Sequence, residues 1–298
     1  MKKTRKTDKL VTESVNPDTV DIDISSTGRI IKLISDEDRK ISKAVYESRE
    51  SIEAAVELIY ERAGEGGRIF FVGAGTSGRL GVIEAAECPP TFGTSPAFVQ
   101  AIIAGGKRAV FNSIEGAEDC YTDSIKQLKN KRLSQNDVVV GIAASSSTPF
   151  VIGAIDYAKE VKAPTVLITF NPAKKNTADI IISPILGPEV IVGSTRMKSG
   201  TATKMILNML TTAIMIKLGK TYKNLMVDVQ PKSEKLRSRA KRIVRQLTGA
   251  TDKKAQSLLL TSNWQVKPAV VMGVKKITYK EAKELLRRHR GFLRKALE

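Results

Sequence analysis

The sequence predicts an α/β protein: a parallel sheet sandwiched by helices, with a small α-helical module at its C-terminal end. Three observations carry that expectation. Short runs rich in valine and isoleucine, at residues 69–72, 138–142 and 165–170, alternate with longer stretches of helical period. Such continuous apolar strands belong to a sheet covered on both faces. The turns after two of these strands are rich in glycine or serine and lead straight into a helix, the βα layout of open parallel sheets. After Pro231 the strand signals stop and only helical patterns remain.

Taken in order, residues 1–35 are polar and mixed, with Asn16-Pro17 and no sustained period, so a mostly irregular arm is expected. Asp36-Glu37-Asp38 then opens a long helix reaching Ala63. Its apolar stripe includes Ala44, Val45, Ile52, Ala55, Val56 and Ile59, and Gly64-Glu65-Gly66-Gly67 ends it. A strand at 69–72 meets a glycine-rich turn and a helix. Residues 97–103 form a strand closed by Gly105-Gly106, and residues 109–128 a helix broken around Glu115-Gly116. A strand at 137–143, a helix at 149–161, a strand at 165–170 and a short strand at 180–185 follow. Residues 199–218 make a long, largely apolar helix expected to be buried. Beyond Pro231 helices are expected at 233–247, 252–261, 268–274, 279–289 and 292–297.

At 298 residues, 42% hydrophobic and 27% charged, the chain fits a soluble globular protein of one large domain and a small one. No apolar run reaches the roughly 18–20 residues that span a bilayer. The start, Met1-Lys2-Lys3-Thr4-Arg5-Lys6, is basic but no apolar segment follows, so no secretory signal is expected. Two cysteines at unrelated spacing, Cys88 and Cys120, suit a reducing cytoplasm and suggest no metal site. His289 is the single histidine, which argues against a His-dependent triad. The net charge of +18 is uneven. Residues 231–298 carry 19 Lys/Arg against 5 Asp/Glu, and the glycine-rich loop lies in a central region that is close to neutral. With only Trp264, Tyr279 and Phe292 among those cations, a solvated basic surface is the better reading than a nucleic-acid footprint.

Three loops carry the chemistry. The first contains Gly73, Gly75, Gly78 and Gly81 with Thr76 and Ser77 between them, at the start of a helix. That layout points backbone N–H groups and a helix dipole at an anion. Glu84 and Glu87 follow one turn apart on one helix face. An anion site with acids beside it suggests a phosphorylated substrate undergoing proton transfer. The second loop, Ser145-Ser146-Ser147-Thr148-Pro149, puts four hydroxyls at a helix N-terminus, with Pro149 suited to the first turn. The third, residues 193–200, adds Ser194, Thr195, Arg196 and Lys198 before the apolar helix.

With these loops in view the chain resembles the sugar-isomerase (SIS) domain superfamily of phosphosugar binders, and within it the N-acetylmuramic acid 6-phosphate etherases. The residues that carry the likeness are Gly73-Ala-Gly-Thr-Ser-Gly-Arg-Leu-Gly81, Glu87-Cys-Pro-Pro-Thr91, Glu115-Gly-Ala-Glu-Asp119, Val138-Val-Val-Gly-Ile-Ala-Ala-Ser145, Ser194-Thr-Arg-Met-Lys198, Asn224-Leu-Met-Val-Asp-Val229 and the closing Gly291-Phe-Leu-Arg-Lys-Ala-Leu297. The resemblance implies a carbon–oxygen lyase that cleaves the C3 D-lactyl ether of the phosphorylated amino sugar, in cell-wall sugar recycling, with no metal or cofactor. It implies Glu87 as the acid that protonates the leaving lactate and Glu118 as the base. It further implies substrate and phosphate contacts from Gly75, Thr76, Ser77, Ser145, Ser146, Ser147, Thr148, Ser194, Thr195, Arg196 and Lys198. The domains expected are an arm with the start of the first helix (1–45), an SIS catalytic domain (46–230) and a basic helical module (231–298). A cytoplasmic homodimer with the site near its interface is also expected. The chain departs from the etherase pattern twice. Ser146 and Ser147 stand where Gly and Arg are common, and Arg290 stands at the first glycine of a His-Gly-Gly-Phe motif. A regulator that binds phosphosugars without turning them over, as the glucokinase regulatory protein does, is the alternative; intact Glu87 and Glu118 favour the enzyme.

Overall fold

A computed structural model describes residues 10–174 and 177–298; the basic segment 1–9 lies outside the described residues. The chain falls into two compact units, one comprising the chain up to Ala85 together with Ala97–Thr211, the other Ala86–Pro96 together with Thr212–Glu298.

The helices α1 (Thr27–Glu47), α2 (Arg49–Gly64), α3 (Gly75–Phe92), α4 (Tyr121–Asn130), α5 (Pro149–Glu160) and α6 (Lys198–Lys217) accompany five strands. These are β1 (Ile69–Gly73), β2 (Val99–Ile103), β3 (Val138–Ile142), β4 (Thr165–Ile168) and β5 (Ile180–Ile182). They form one parallel sheet, as the apolar runs predict, and the structure sets its order as β2-β1-β3-β4-β5. Ile69 of β1 pairs with Val99 on one side and Val138 on the other, so the central strands start level. Every residue of β1 and β3 is buried, hence their unbroken apolar reading. Phe70, Val72, Leu128, Val139, Phe150 and Ala154 close one face into a single cluster with α4 and α5. A buried Phe of this kind contributes about 1.5–3 kcal/mol.

A carboxylate fixes the entry to the two central strands. Asp137 accepts from the Arg68 backbone N–H (2.9 Å), Arg68 Nε (2.9 Å), Arg68 Nη2 (2.7 Å) and the Ser134 N–H (2.8 Å). Burial pushes its carboxyl up, but the Arg68 guanidinium and these backbone donors outweigh that and hold it below the ordinary aspartate value.

Two helical expectations are corrected. The first helix does not open at Asp36 but at Thr27, where Ser26 caps it by accepting from the Arg29 N–H. The buried stripe Leu33, Glu37, Ile41, Ala44 and Val45 is continuous from there, and Glu37 belongs to the buried face rather than to an acidic first turn. The run to Ala63 is also two helices, because the chain breaks at Ser48. The second correction concerns 109–128: only 121–128 lies in an α-helix. Gly105, Gly106 and Gly116 all take left-handed backbone, which leaves two 3-10 turns, Gly106–Val110 and Ala117–Asp119, before α4. Helix α6 is buried along one face, through Ala202, Ile206, Leu207 and Leu210, while Met209 and Ile216 stay exposed.

In the second unit α7 (Glu234–Thr248), α8 (Asp252–Thr261), α9 (Val266–Lys275), α10 (Tyr279–Arg288) and α11 (Leu293–Leu297) follow the predicted order. They enclose an apolar cluster that includes Val244, Leu259, Val270, Ala282 and Leu293. A capping box on α10, Thr278 with Glu281, satisfies the first donors of that helix. Among the described residues no helix is long and apolar enough to cross a membrane.

Candidate functional site

The strand order reverses direction between β1 and β3, and the crevice outside the carboxyl ends of strands at such a point is where open α/β sheets take ligands. In this chain the loops after β1 and β3 both end there. The β1 loop turns through Gly75 in left-handed backbone (φ 52°) directly into α3. At Gly78 a Cβ would lie 2.6 Å from the Gly73 carbonyl oxygen, so only glycine lets the first turn of α3 pack this close to β1. The result is a helix N-terminus with orphan N–H groups at the sheet edge.

The β3 loop brings its hydroxyls to the same place. Ser145 is the hub: the Ser147 N–H (3.4 Å) and the Ser147 hydroxyl (3.3 Å) donate to its Oγ, and Thr148 Oγ1 lies 3.5 Å away. Thr148 precedes α5, with Pro149 in its first turn as expected. Together these loops line a cavity of about 620 Å³ that includes Ser77, Glu118, Ser145, Ser147, Thr148 and Thr195. That size suits a small-molecule site. Glu118 sits on the 3-10 turn Ala117–Asp119 and also lines an adjoining cavity of about 210 Å³ with Gly75. Arg79 of α3 fastens the preceding segment, donating through Nε to the Val110 carbonyl (3.0 Å) and through Nη2 to the Asn112 carbonyl (3.0 Å).

Other residues singled out from the sequence lie elsewhere. Ser146 is half-buried and donates to the Pro172 carbonyl (3.4 Å), with its backbone left-handed at φ 60°. Thr76 and Ser194 are not among the residues lining the larger cavity, and Arg196 is exposed. Lys198 is only 1% exposed and bonds Glu37 Oε2 (2.5 Å) and the Leu186 carbonyl (3.0 Å) rather than lining the cavity. Burial pushes the Glu37 carboxyl up, but Lys198 and Lys40 outweigh it and leave the group below its ordinary value. The N-terminus of α6 is likewise filled: buried Glu189 accepts from the N–H groups of Lys198 and Ser199 (3.0 Å each) and from the Ser199 hydroxyl (2.7 Å). Glu84 is buried and bonds Lys204 Nζ (2.5 Å) and the Thr211 hydroxyl (2.6 Å), which makes it a tie between α3 and α6. Glu87, further along α3, is exposed and belongs to the second unit.

Sequence reasoning missed the arm. Leu10, Thr12 and Glu13 line the larger cavity. The Gly193 N–H donates to the Thr12 carbonyl (3.1 Å), and buried Asn171 donates to Thr12 Oγ1 (2.9 Å) and to the Ala144 carbonyl (2.8 Å). Asn171 thus ties the arm to the β3 loop. No period or motif marks these arm residues, because their partners are about 160–180 positions away in the chain.

A parallel sheet with helices on its faces and a hydroxyl-lined crevice at the strand reversal defines an open α/β protein with a ligand crevice at its switch point. The model of the glucokinase regulatory protein N-terminal SIS domain matches residues 51–159. The chain is 49% identical to the N-acetylmuramic acid 6-phosphate etherase of Clostridium botulinum (strain Okra / Type B1), covering 98% of this chain and 97% of that protein. It is 48% identical to the enzyme of that name from Caldanaerobacter subterraneus subsp. tengcongensis, over 98% and 96%. Among solved structures, a phosphoheptose isomerase from Francisella tularensis superposes with a TM-score of 0.44 at 15% identity, over 62% of this chain and 98% of that one. The chain belongs to the N-acetylmuramic acid 6-phosphate etherase family.

Proposed function

We propose that the chain releases D-lactate from N-acetylmuramic acid 6-phosphate and leaves N-acetylglucosamine 6-phosphate. The observation that carries the reading is the cavity in which Glu118 shares one space with Ser77, Ser145, Ser147 and Thr148. The hydroxyls and the helix N-termini hold the phosphate. In the open-chain sugar the C1 aldehyde acidifies the C2 proton. Glu118 takes that proton and the C3–O bond breaks; the family motif, rather than the cavity, assigns Glu87 the proton given to the departing lactate oxygen. Water then adds across the C2–C3 double bond, its hydroxyl to C3 and a proton to C2. The two carboxyls must differ in protonation at the working pH, a role each contributes to by roughly 10²–10⁴-fold. A cytoplasmic homodimer belongs to the same reading, and light scattering of the full chain tests the dimer.

The experiment is a coupled D-lactate assay together with exchange of the C2 hydrogen of N-acetylglucosamine 6-phosphate in deuterated solvent. Glu118→Ala is expected to lose both, and Glu87→Ala to lose lactate release while keeping some exchange. Exchange that survives in Glu118→Ala and vanishes in Glu87→Ala reverses the two roles. Phosphosugar binding by the wild type with no lactate released would favour the regulator instead; similarity to etherases over almost the full length argues against that outcome.

A further inference from the structure

The second unit contains a cavity of about 720 Å³, larger than the one that holds Glu118, and its floor carries a charge imbalance. Lys267, in the first turn of α9, is 7% exposed. Its Nζ donates to Asp228 Oδ2 at 2.6 Å, and among the described residues it has no other acceptor. Lys220 Nζ lies 3.4 Å from the same oxygen. Two ammonium groups therefore share one carboxylate, and a nearly buried lysine keeps two N–H donors without a protein partner. A buried charge in that condition is costly unless a further counter-ion or acceptor reaches it.

The rest of the lining includes the apolar surfaces of Trp264, Pro231 and Val229. Trp264 is held at the cavity by left-handed backbone (φ 61°), which a bulky side chain rarely adopts, and the Arg237 guanidinium stacks 5.3 Å from its ring. Burial pulls the Lys267 ammonium below the ordinary lysine value; Asp228 opposes the shift and Lys220 adds to it. One carboxylate has not fully offset the cost of burying this cation.

We propose that Lys267 and Lys220, set around Asp228, form a binding site for the oxyanion of a small organic acid or phosphate ester whose carbon skeleton rests against Trp264. This site goes beyond the etherase reading and does not depend on it. Asp228 lies in the Asn224-Leu-Met-Val-Asp-Val229 motif, for which the lactyl-ether chemistry supplies no role. The shared ligand chemistry is an oxyanion with acceptor oxygens for the free lysine donors.

Trp264 is the only tryptophan in the chain, so its fluorescence reads this cavity directly. The full-length protein is titrated at constant ionic strength with inorganic phosphate, D-lactate and N-acetylglucosamine 6-phosphate, with chloride as control. At least one is expected to give a saturable change, and which one separates a carboxylate from a phosphate ligand. The apparent Kd should rise at least tenfold in Lys267→Met and stay unchanged in Ser145→Ala, which alters only the first unit's cavity. Asp228→Asn should bind the oxyanion more tightly, because it removes the competing counter-ion. Should Lys267→Met fail to fold, Lys220→Met, at a more exposed position, carries the same expectation of weaker binding. No saturable change with any anion, or a change indifferent to both lysine substitutions, overturns the site and leaves Lys267–Asp228 as an internal tie. The lactate assay is a separate readout, so failure here and failure of the etherase reading are distinguishable.

Discussion

Helices α5 and α6 both start behind hydroxyl-rich loops, yet their N-termini meet different partners. At α5, Ser145, Ser147 and Thr148 bond mainly to one another and face an open cavity. At α6 the corresponding position is filled by Glu189, a buried carboxylate of the chain itself, and the nearby cation Lys198 is bound to Glu37. A helix N-terminus attracts negative charge in either case. Whether that charge comes from a ligand or from the protein depends on what the fold brings to it.

Removing the internal anion is the strongest way to break the comparison. Glu189→Ala leaves the first N–H groups of α6 and the Ser199 hydroxyl without their acceptor in a buried setting. Three such bonds, some charge-assisted, predict a loss of about 2–4 kcal/mol in denaturant unfolding. A stability equal to wild type would mean that α6 is capped by something else.

At α5 the same kind of deletion is expected to act on substrate instead. Ser145→Ala should raise KM about tenfold, or roughly 1.4 kcal/mol, with a smaller effect on kcat, because a phosphate handle remote from C2 and C3 contributes mostly uniform binding. Unfolding stability should change little. An unchanged KM would show that the phosphate sits away from the β3 loop.

Acid should separate the two helices as well. Glu37 has a folded-state value below its ordinary one, so its contribution is fully present above about pH 4.5 and is lost as the pH falls through the lower folded value. Amide exchange in the first turn of α6 should therefore accelerate below that pH, and the first turn of α5, which relies on hydroxyls, should respond less. Equal acceleration at both ends would remove the distinction.

The smallest effect concerns the two departures from the family pattern. Ser146 and Arg290 both have left-handed backbone, φ 60° and 52°, at positions where the etherase pattern that the sequence resembles implies glycine. Each carries a cost of about 1 kcal/mol that glycine avoids, in part offset by the greater entropy of glycine in the unfolded chain. Ser146→Gly is expected to gain up to about 1 kcal/mol in thermal or denaturant unfolding. A loss on this substitution would mean that the Ser146 bond to the Pro172 carbonyl outweighs the strain.

The sequence by itself determined the strands, their parallel pairing in outline, and the helical nature of the C-terminal segment. Continuous apolar runs such as residues 69–72 and 138–142 have few alternatives to a doubly covered sheet, and their glycine and serine turns are short-range signals. It also determined the family, through motifs that are contiguous in the chain. It did not fix where α1 begins, because Glu37 reads as a first-turn acid until Lys198 is seen beside it. Nor could it show that Thr12 and Glu13 reach the cavity, that Glu189 fills the end of α6, or that Lys267 and Lys220 share Asp228. Those arrangements pair residues distant in sequence, and a charged side chain carries no local mark of its partner. Only the tertiary structure decides which charges are neutralised from within and which are left for a ligand, because burial and distance set the energy of a charge far more than its neighbours in the chain do.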